Sequence, residues 1–117
     1  MNKQLSINQL MSLGLEDIEA ILYVHLLENG AQTPLELSRE LNINRSKIYR
    51  YIEKLATKKL IEESVVDRGV RIKASDIRNI ELMMQDKEQA LKTQRDILPA
   101  ILDNLQNLPI DLKQHFE

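Results

Sequence analysis

The chain has 117 residues and 13.6 kDa, enough for one compact domain with an added element and too short for a multidomain enzyme. Its 43% apolar and 29% charged residues are a globular composition, and the 3% aromatic share leaves Leu and Ile to pack the core; with no cysteine and only His25 and His115, disulfides, thiolate zinc sites and cysteine nucleophiles are excluded. The net charge of −2 conceals a basic centre, because residues 39–73 carry ten Lys and Arg against five acids, net +5, while the flanks sum to −7.

Ser6 and Gln9 stand at capping-box spacing, which predicts a short helix from Ile7 to about Leu13 that stops at Gly14. A second helix follows from Glu16 to Glu28: Ile18, Ile21, Leu22 and Leu26 recur at helical spacing, Glu16, Asp17 and Glu19 suit its positive end, and Gly30 offers the left-handed stop. His25 beside that stripe reads as a half-buried filler. Thr33-Pro34-Leu35-Glu36 starts a third helix, with Thr33 as N-cap, Pro34 in the first turn and Glu36 closing the box; Leu35, Leu37 and Leu41 form its expected buried side. Asn42-Ile43-Asn44 interrupts it with a residue that tolerates the left-handed conformation, and Asn44 caps a fourth helix, 45–59, that packs on Ile48, Tyr51, Ile52 and Leu55.

After Leu60 the apolar period drops to two. Ile61–Val66 and Val70–Ala74 read as a hairpin joined by Asp67-Arg68-Gly69, with Gly where a bulge needs positive φ. Ser75 or Asp76 then caps a long last helix, in which Ile77, Met84, Leu91, Leu98 and Leu105 repeat every seven residues with Ile80 and Ile101 among the companion positions. Lys87 and Gln94 thin that seam in the middle, and Pro99 predicts a kink or break near Leu98. Leaving such a stripe bare would invite aggregation, so it reads as a homodimer seam.

Helix, short helix, tight turn, helix and hairpin is the order of a winged helix-turn-helix, so the expected fold class is mainly α with a small β-hairpin (α+β) followed by a long coiled-coil helix. The internal spacing agrees: a small residue at Ser38, a turn residue four later at Asn42, and apolar Ile43, Ile48 and Tyr51. The face of the 45–59 helix opposite its core side carries Ser46, Arg50 and Glu53, flanked by Lys47, Tyr49 and Lys54. The N-terminal turn brings Arg45, Ser46 and Lys47 forward beside N–H groups that suit a phosphate; Arg50 suits bidentate guanine readout, Tyr49 and Ser46 mixed base and phosphate contacts, and Lys47 and Lys54 phosphates. Thr33 and Asn44, at the two helix starts, complete this set. Arg68, Arg71 and Lys73 form a basic wing, 67–73, for the backbone or minor groove.

Leu13-Gly14-Leu15, Glu19-Ala20, the run Ala31–Leu37, the run Asn44–Tyr49, Lys58-Lys59-Leu60-Ile61-Glu62 and Arg71-Ile72-Lys73-Ala74 resemble the N-terminal domain of TrmB-like transcriptional regulators, over about residues 7–105. The resemblance implies a winged helix followed by a dimerisation helix in an archaeal or bacterial regulator, many of which respond to sugars. Its most specific element, Arg45-Ser46-Lys47-Ile48-Tyr49, carries the family's recognition-helix contacts onto Arg45, Ser46, Lys47 and Tyr49; Asn44 stands where members commonly have Pro and keeps the cap. The expected organisation is a DNA-binding domain over 1–75, a dimerisation helix over 76–108, and a tail over 109–117. That tail lacks capping or turn chemistry, so it reads as the start of an effector domain or as the end of a small stand-alone regulator. A sugar-type effector is implied only with such a further domain.

The expected function is therefore a homodimeric, sequence-specific regulator of double-stranded DNA. A winged-helix protein-interaction module without specific DNA binding is the alternative, supported by the acidic flanks. An enzyme is not expected, since no Gly-rich phosphate loop, metal-ligand spacing or nucleophile–base pairing stands out, and no cofactor is implied. No apolar run approaches the ~18 residues of a membrane span and Met1–Gln4 lacks a signal-peptide core, so the default location is the cytoplasm.

Overall fold

The computed structural model describes residues 2–66 and 69–109, which fall into one unit ending at Ile80 and a second beginning at Glu81. In the first, α1 (Lys3–Ser12) starts earlier than the Ser6 box predicts, because the Asn2 side chain accepts from the Leu5 N–H at 3.0 Å and supplies a cap upstream. The helix closes as expected at Gly14, whose φ is 103°: the Gly14 N–H donates to Met11 and the Leu15 N–H to Leu10, the paired reverse bonds that end a helix on a left-handed residue. α2 (Asp17–Asn29) opens with Glu16 as N-cap, its N–H bonded to Glu19 Oε1 at 2.8 Å, and ends at Gly30.

α3 (Pro34–Leu41) begins on the Thr33 cap with both capping-box bonds formed and ends on Asn42 in the left-handed region. Its buried side is narrower than expected. Leu37 is fully buried and Leu41 half-buried, but Leu35, in the first turn beside Pro34, is 39% exposed. α4 (Arg45–Thr57) packs with Ile48, Tyr51 and Leu55 buried and Ile52 half-buried, and closes through Lys58 and Lys59 by the same paired bonds as α1 (Lys59 N–H to Ala56, Leu60 N–H to Leu55). Lys59 does there, at φ 64°, what Gly14 does in α1.

β1 (Ile61–Val66) and β2 (Gly69–Ala74) pair antiparallel from Ile61↔Ala74 to Val66↔Gly69. Gly69, at φ 115°, is thus a paired strand residue and not part of a three-residue loop. Gln32 exchanges both backbone bonds with Ile72, at 2.9 and 2.7 Å, adding a one-residue third strand on the far side of β2. Leu22, Leu26, Leu37, Ile48, Leu55, Leu60 and Ile72, with the ring of Tyr23 among the buried residues, make the mainly aliphatic core.

The last helix, α5 (Asn79–Gln106), starts later than expected: Asp76 Oδ1 accepts from the Arg78 N–H and Asp76 O from the Asn79 N–H, which leaves Ile77 in a turn, outside the helical seam. It is continuous through Pro99, so of the expected kink or break the break is absent. Proline removes one backbone bond there, and the surrounding exposed turn leaves the orphaned Arg95 carbonyl to water. In the second unit Leu91, Leu98, Ile101 and Leu105 are 42–53% exposed, and Ile97 and Leu102, which the heptad reading passed over, widen the stripe.

The α3 correction is testable by urea unfolding. Leu37→Ala should cost about 2–5 kcal/mol, the usual range for a buried Leu; Leu35→Ala should stay within about 0.5 kcal/mol of the parent. Equal costs would contradict the assigned packing.

Candidate nucleic-acid interface

The turn between α3 and α4 is closed by backbone and side chain together. Asn42 and Ile43 both donate their N–H groups to the Ser38 carbonyl, and the Ser38 hydroxyl donates to the Ile43 carbonyl at 2.5 Å. The small residue at position 38 therefore admits the close approach and also satisfies a turn carbonyl, a role that its size alone does not reveal. Asn44 then caps α4, its Oδ1 accepting from the Ser46 N–H at 2.8 Å and the Ser46 hydroxyl at 2.5 Å.

Behind α4, two lysines one turn apart meet two glutamates at the start of α2. Lys58 donates to Glu19 Oε2, and Glu19 is fully buried. Lys54 donates to Glu16 Oε2 at 2.5 Å, with the Tyr51 hydroxyl 3.4 Å from the other oxygen. The sequence reading assigned Glu16 and Glu19 to the helix dipole alone and Lys54 to phosphate. The structure instead puts Lys54 on Glu16 and 5.1 Å above the Tyr51 ring. The spacing held a signal for this: Lys54 and Lys58, four apart, share one helix face, as do Glu16 and Glu19, three apart.

On the outer face Arg45, Ser46, Lys47, Tyr49, Arg50 and Glu53 are all exposed, as expected. Arg45 Nη2 reaches the Tyr49 hydroxyl at 3.4 Å, and the Arg50 guanidinium lies 5.2 Å from the Tyr51 ring centroid. Pro34, Tyr49, Ile52, Glu63 and Val70 line a crease between this helix and the hairpin. On the wing, Arg71 Nη1 is 3.3 Å from Glu36 Oε1 and Lys73 Nζ 3.2 Å from Glu62 Oε1, so both cations are already paired; Arg68 lies outside the described residues. Thr33 is spent on its cap, accepting from the Glu36 N–H at 3.1 Å. His25 is more than a filler: its Nε2 lies 3.1 Å from both Gln32 Oε1 and Glu40 Oε1, two acceptors that place the proton on that nitrogen, and so ties the end of α2 to α3. Among the described residues no cluster of His, Asp and Glu could hold a metal, and no helix is long and apolar enough to cross a membrane.

The family model of the sugar-specific transcriptional regulator TrmB matches residues 10–78. The solved structure of TrmBL2, described as an archaeal chromatin protein with a novel mode of DNA binding, is similar with a TM-score of 0.73 at 22% identity, over 96% of this chain and 44% of that one. This chain thus spans less than half of that protein's length. MarR from E. coli, in its apo form, gives 0.56 at 21% identity over 92% and 89% of the two chains, and a MarR family protein from Bacillus stearothermophilus 0.57 at 20% over 97% and 84%. At such identities the likeness establishes the fold, a winged helix. No curated protein matches the chain by sequence.

The paired carboxyls give the fold a defined pH response. A hydrogen bond from Lys54 holds Glu16 below its ordinary 4.5, and the Thr33 backbone N–H holds Glu36 below the same value. A carboxyl depressed by folding contributes stability that is complete above the unfolded value and is lost as pH falls through the folded one. The melting temperature should therefore drop on acidification below 4.5, and Glu16→Gln should make that drop shallower. Lys54 is raised above 10.5 by the same hydrogen bond, so its contribution is complete below that value and lost only as pH rises through the raised one. Thermal scans across both limbs check this; an acid limb equally steep in Glu16→Gln would contradict it.

Proposed function

Because the chain belongs to the TrmB family of transcriptional regulators, we propose that it is a sequence-specific double-stranded-DNA-binding regulator acting as a homodimer, with α4 in the major groove and the wing on the backbone or minor groove. The observation that carries the proposal is the division of labour on α4. Its inner lysines are consumed by Glu16 and Glu19, while Arg45, Lys47 and Arg50 stay exposed on the outer side around a helix start whose N–H groups suit a phosphate. Lys54 then acts as a positioning residue for α4, and Arg71 and Lys73 reach phosphate by exchanging Glu36 and Glu62 for it. Dimerisation falls to the exposed stripe of α5, Leu91 to Leu105, within the span 76–108 that the heptads mark.

A two-fold dimer presents two copies of α4 to one side of a duplex, so the site should be a pseudo-palindrome with half-site centres roughly 10 base pairs, or a multiple, apart. Selection of bound duplexes from a random pool supplies the site. On it, Arg50→Ala should cost about 1–3 kcal/mol and relax preference at one position; Arg71→Ala should weaken all sequences alike and flatten the salt dependence by about one unit per contact. Sedimentation equilibrium should show a dimer at tens of micromolar. Salt-insensitive or absent duplex binding would favour a protein-interaction module instead, and equal effects of the two variants on selected and random DNA would contradict their roles.

A further inference from the structure

Glu53 stands out on the outer face of α4 because it is acidic. It follows Arg50 by three residues and Ser46 by seven, so all three project from one side of the helix, opposite Ile48, Tyr51 and Leu55. It is exposed, and its carboxylate makes no ion pair among the described residues, whereas Glu16 and Glu19, behind the helix, are paired with Lys54 and Lys58. The neighbouring Arg50 does not neutralise it, since that guanidinium leans over the Tyr51 ring. Brought to a duplex, an unpaired carboxylate is repelled by the phosphates and loses its water, and both costs persist unless a donor on the base edges meets it. In the major groove such a donor is an exocyclic amine, and the carboxylate's usual partner is cytosine N4–H2.

Resting on the DNA-binding reading above, we propose that Glu53 is a specificity-determining residue that accepts a hydrogen bond from a cytosine amine, in the base pair contacted by Arg50 or the one next to it. The Cβ atoms of residues three apart on a helix lie about 5–6 Å from each other, against a rise of about 3.4 Å per base pair, which confines the pair to one base pair or two adjacent ones. Arg50 on guanine and Glu53 on cytosine then form a joint reader of G·C content. Glu53 acts as much by exclusion as by attraction, because thymine O4 or guanine O6 at the same place would face the carboxylate with an acceptor.

The full chain, as Glu53→Ala, Glu53→Gln and Arg50→Ala, is titrated against the selected duplex and against duplexes carrying each of the four base pairs at every half-site position, with random duplex as reference. The parent chain should lose at least about fivefold when the cytosine is replaced. Glu53→Ala should bind random duplex more tightly than the parent and be indifferent at that one position, while keeping the preference that Arg50→Ala abolishes. Because position 53 is exposed, melting curves should match the parent. If Glu53→Ala gains affinity on all duplexes alike with every preference intact, or changes nothing, the inference is overturned and the DNA-binding reading stands. If the parent itself binds no duplex selectively, that reading falls and the inference with it.

Discussion

A carboxylate with no exposure to solvent, Glu19, has to be met by a cation, and the cation is Lys58, the C-cap of α4. Burying an unpaired charge is among the costlier events in a small domain, so this contact fixes where the end of α4 can lie against α2. Glu19 also accepts the N–H of Glu16, and Glu16 in turn holds Lys54 one turn back along α4. The N-terminus of α2 and the inner side of α4 are thereby matched at two points. The Ser38 and Asn44 bonds fix the other end of α4 through the tight turn. Rotation of the helix about its own axis is removed, and which residues face outward is no longer free.

That constraint sorts the basic centre of the sequence into two populations. Lys54, Lys58, Arg71 and Lys73 face carboxylates of the chain itself, whereas Arg45, Lys47 and Arg50 have no carboxylate partner among the described residues. A net charge of +5 over residues 39–73 therefore overstates what is immediately available to a phosphate backbone. In the proposed function, wing cations that must first leave Glu36 and Glu62 would contribute less affinity than free ones, because each new phosphate contact would be offset by a released carboxylate. Under that proposal such an arrangement would weaken indiscriminate binding more than binding at a preferred site, where base contacts from α4 would add to the total.

Local chemistry was legible in the sequence. The Thr33 and Asn44 caps, the left-handed Asn42, the Gly14 stop and the Ile61–Val66 strand depend on residues within a few positions of each other, and each stands where the spacing put it. Boundaries failed where a competing cap lay upstream of the expected one, as with Asn2 before Ser6, or where an expected cap, Asp76, closed a turn first and the helix began only at Asn79. Pro99 does not break α5, because a proline costs a helix one bond and some crowding without having to end it. Pairings across the chain were not legible: Gln32 with Ile72, His25 with Glu40, Lys58 with Glu19 and Lys73 with Glu62 join residues that only the tertiary fold, or the strand register, brings together. Of the expected contact residues, those on the outer face of α4 are exposed, while Lys54, Arg71 and Lys73 are already engaged by carboxylates.

The seating of α4 by buried charge is most directly tested by a double-mutant cycle on Glu19 and Lys58, with urea unfolding as the readout. Glu19→Gln keeps an acceptor for the Glu16 N–H and removes the charge. In the parent, Lys58→Met should cost about 3–5 kcal/mol, since it strands a buried carboxylate; in the Glu19→Gln background the same substitution should cost less than about 1 kcal/mol. Equal costs in the two backgrounds would show that the residues are uncoupled and that packing alone holds α4 in place.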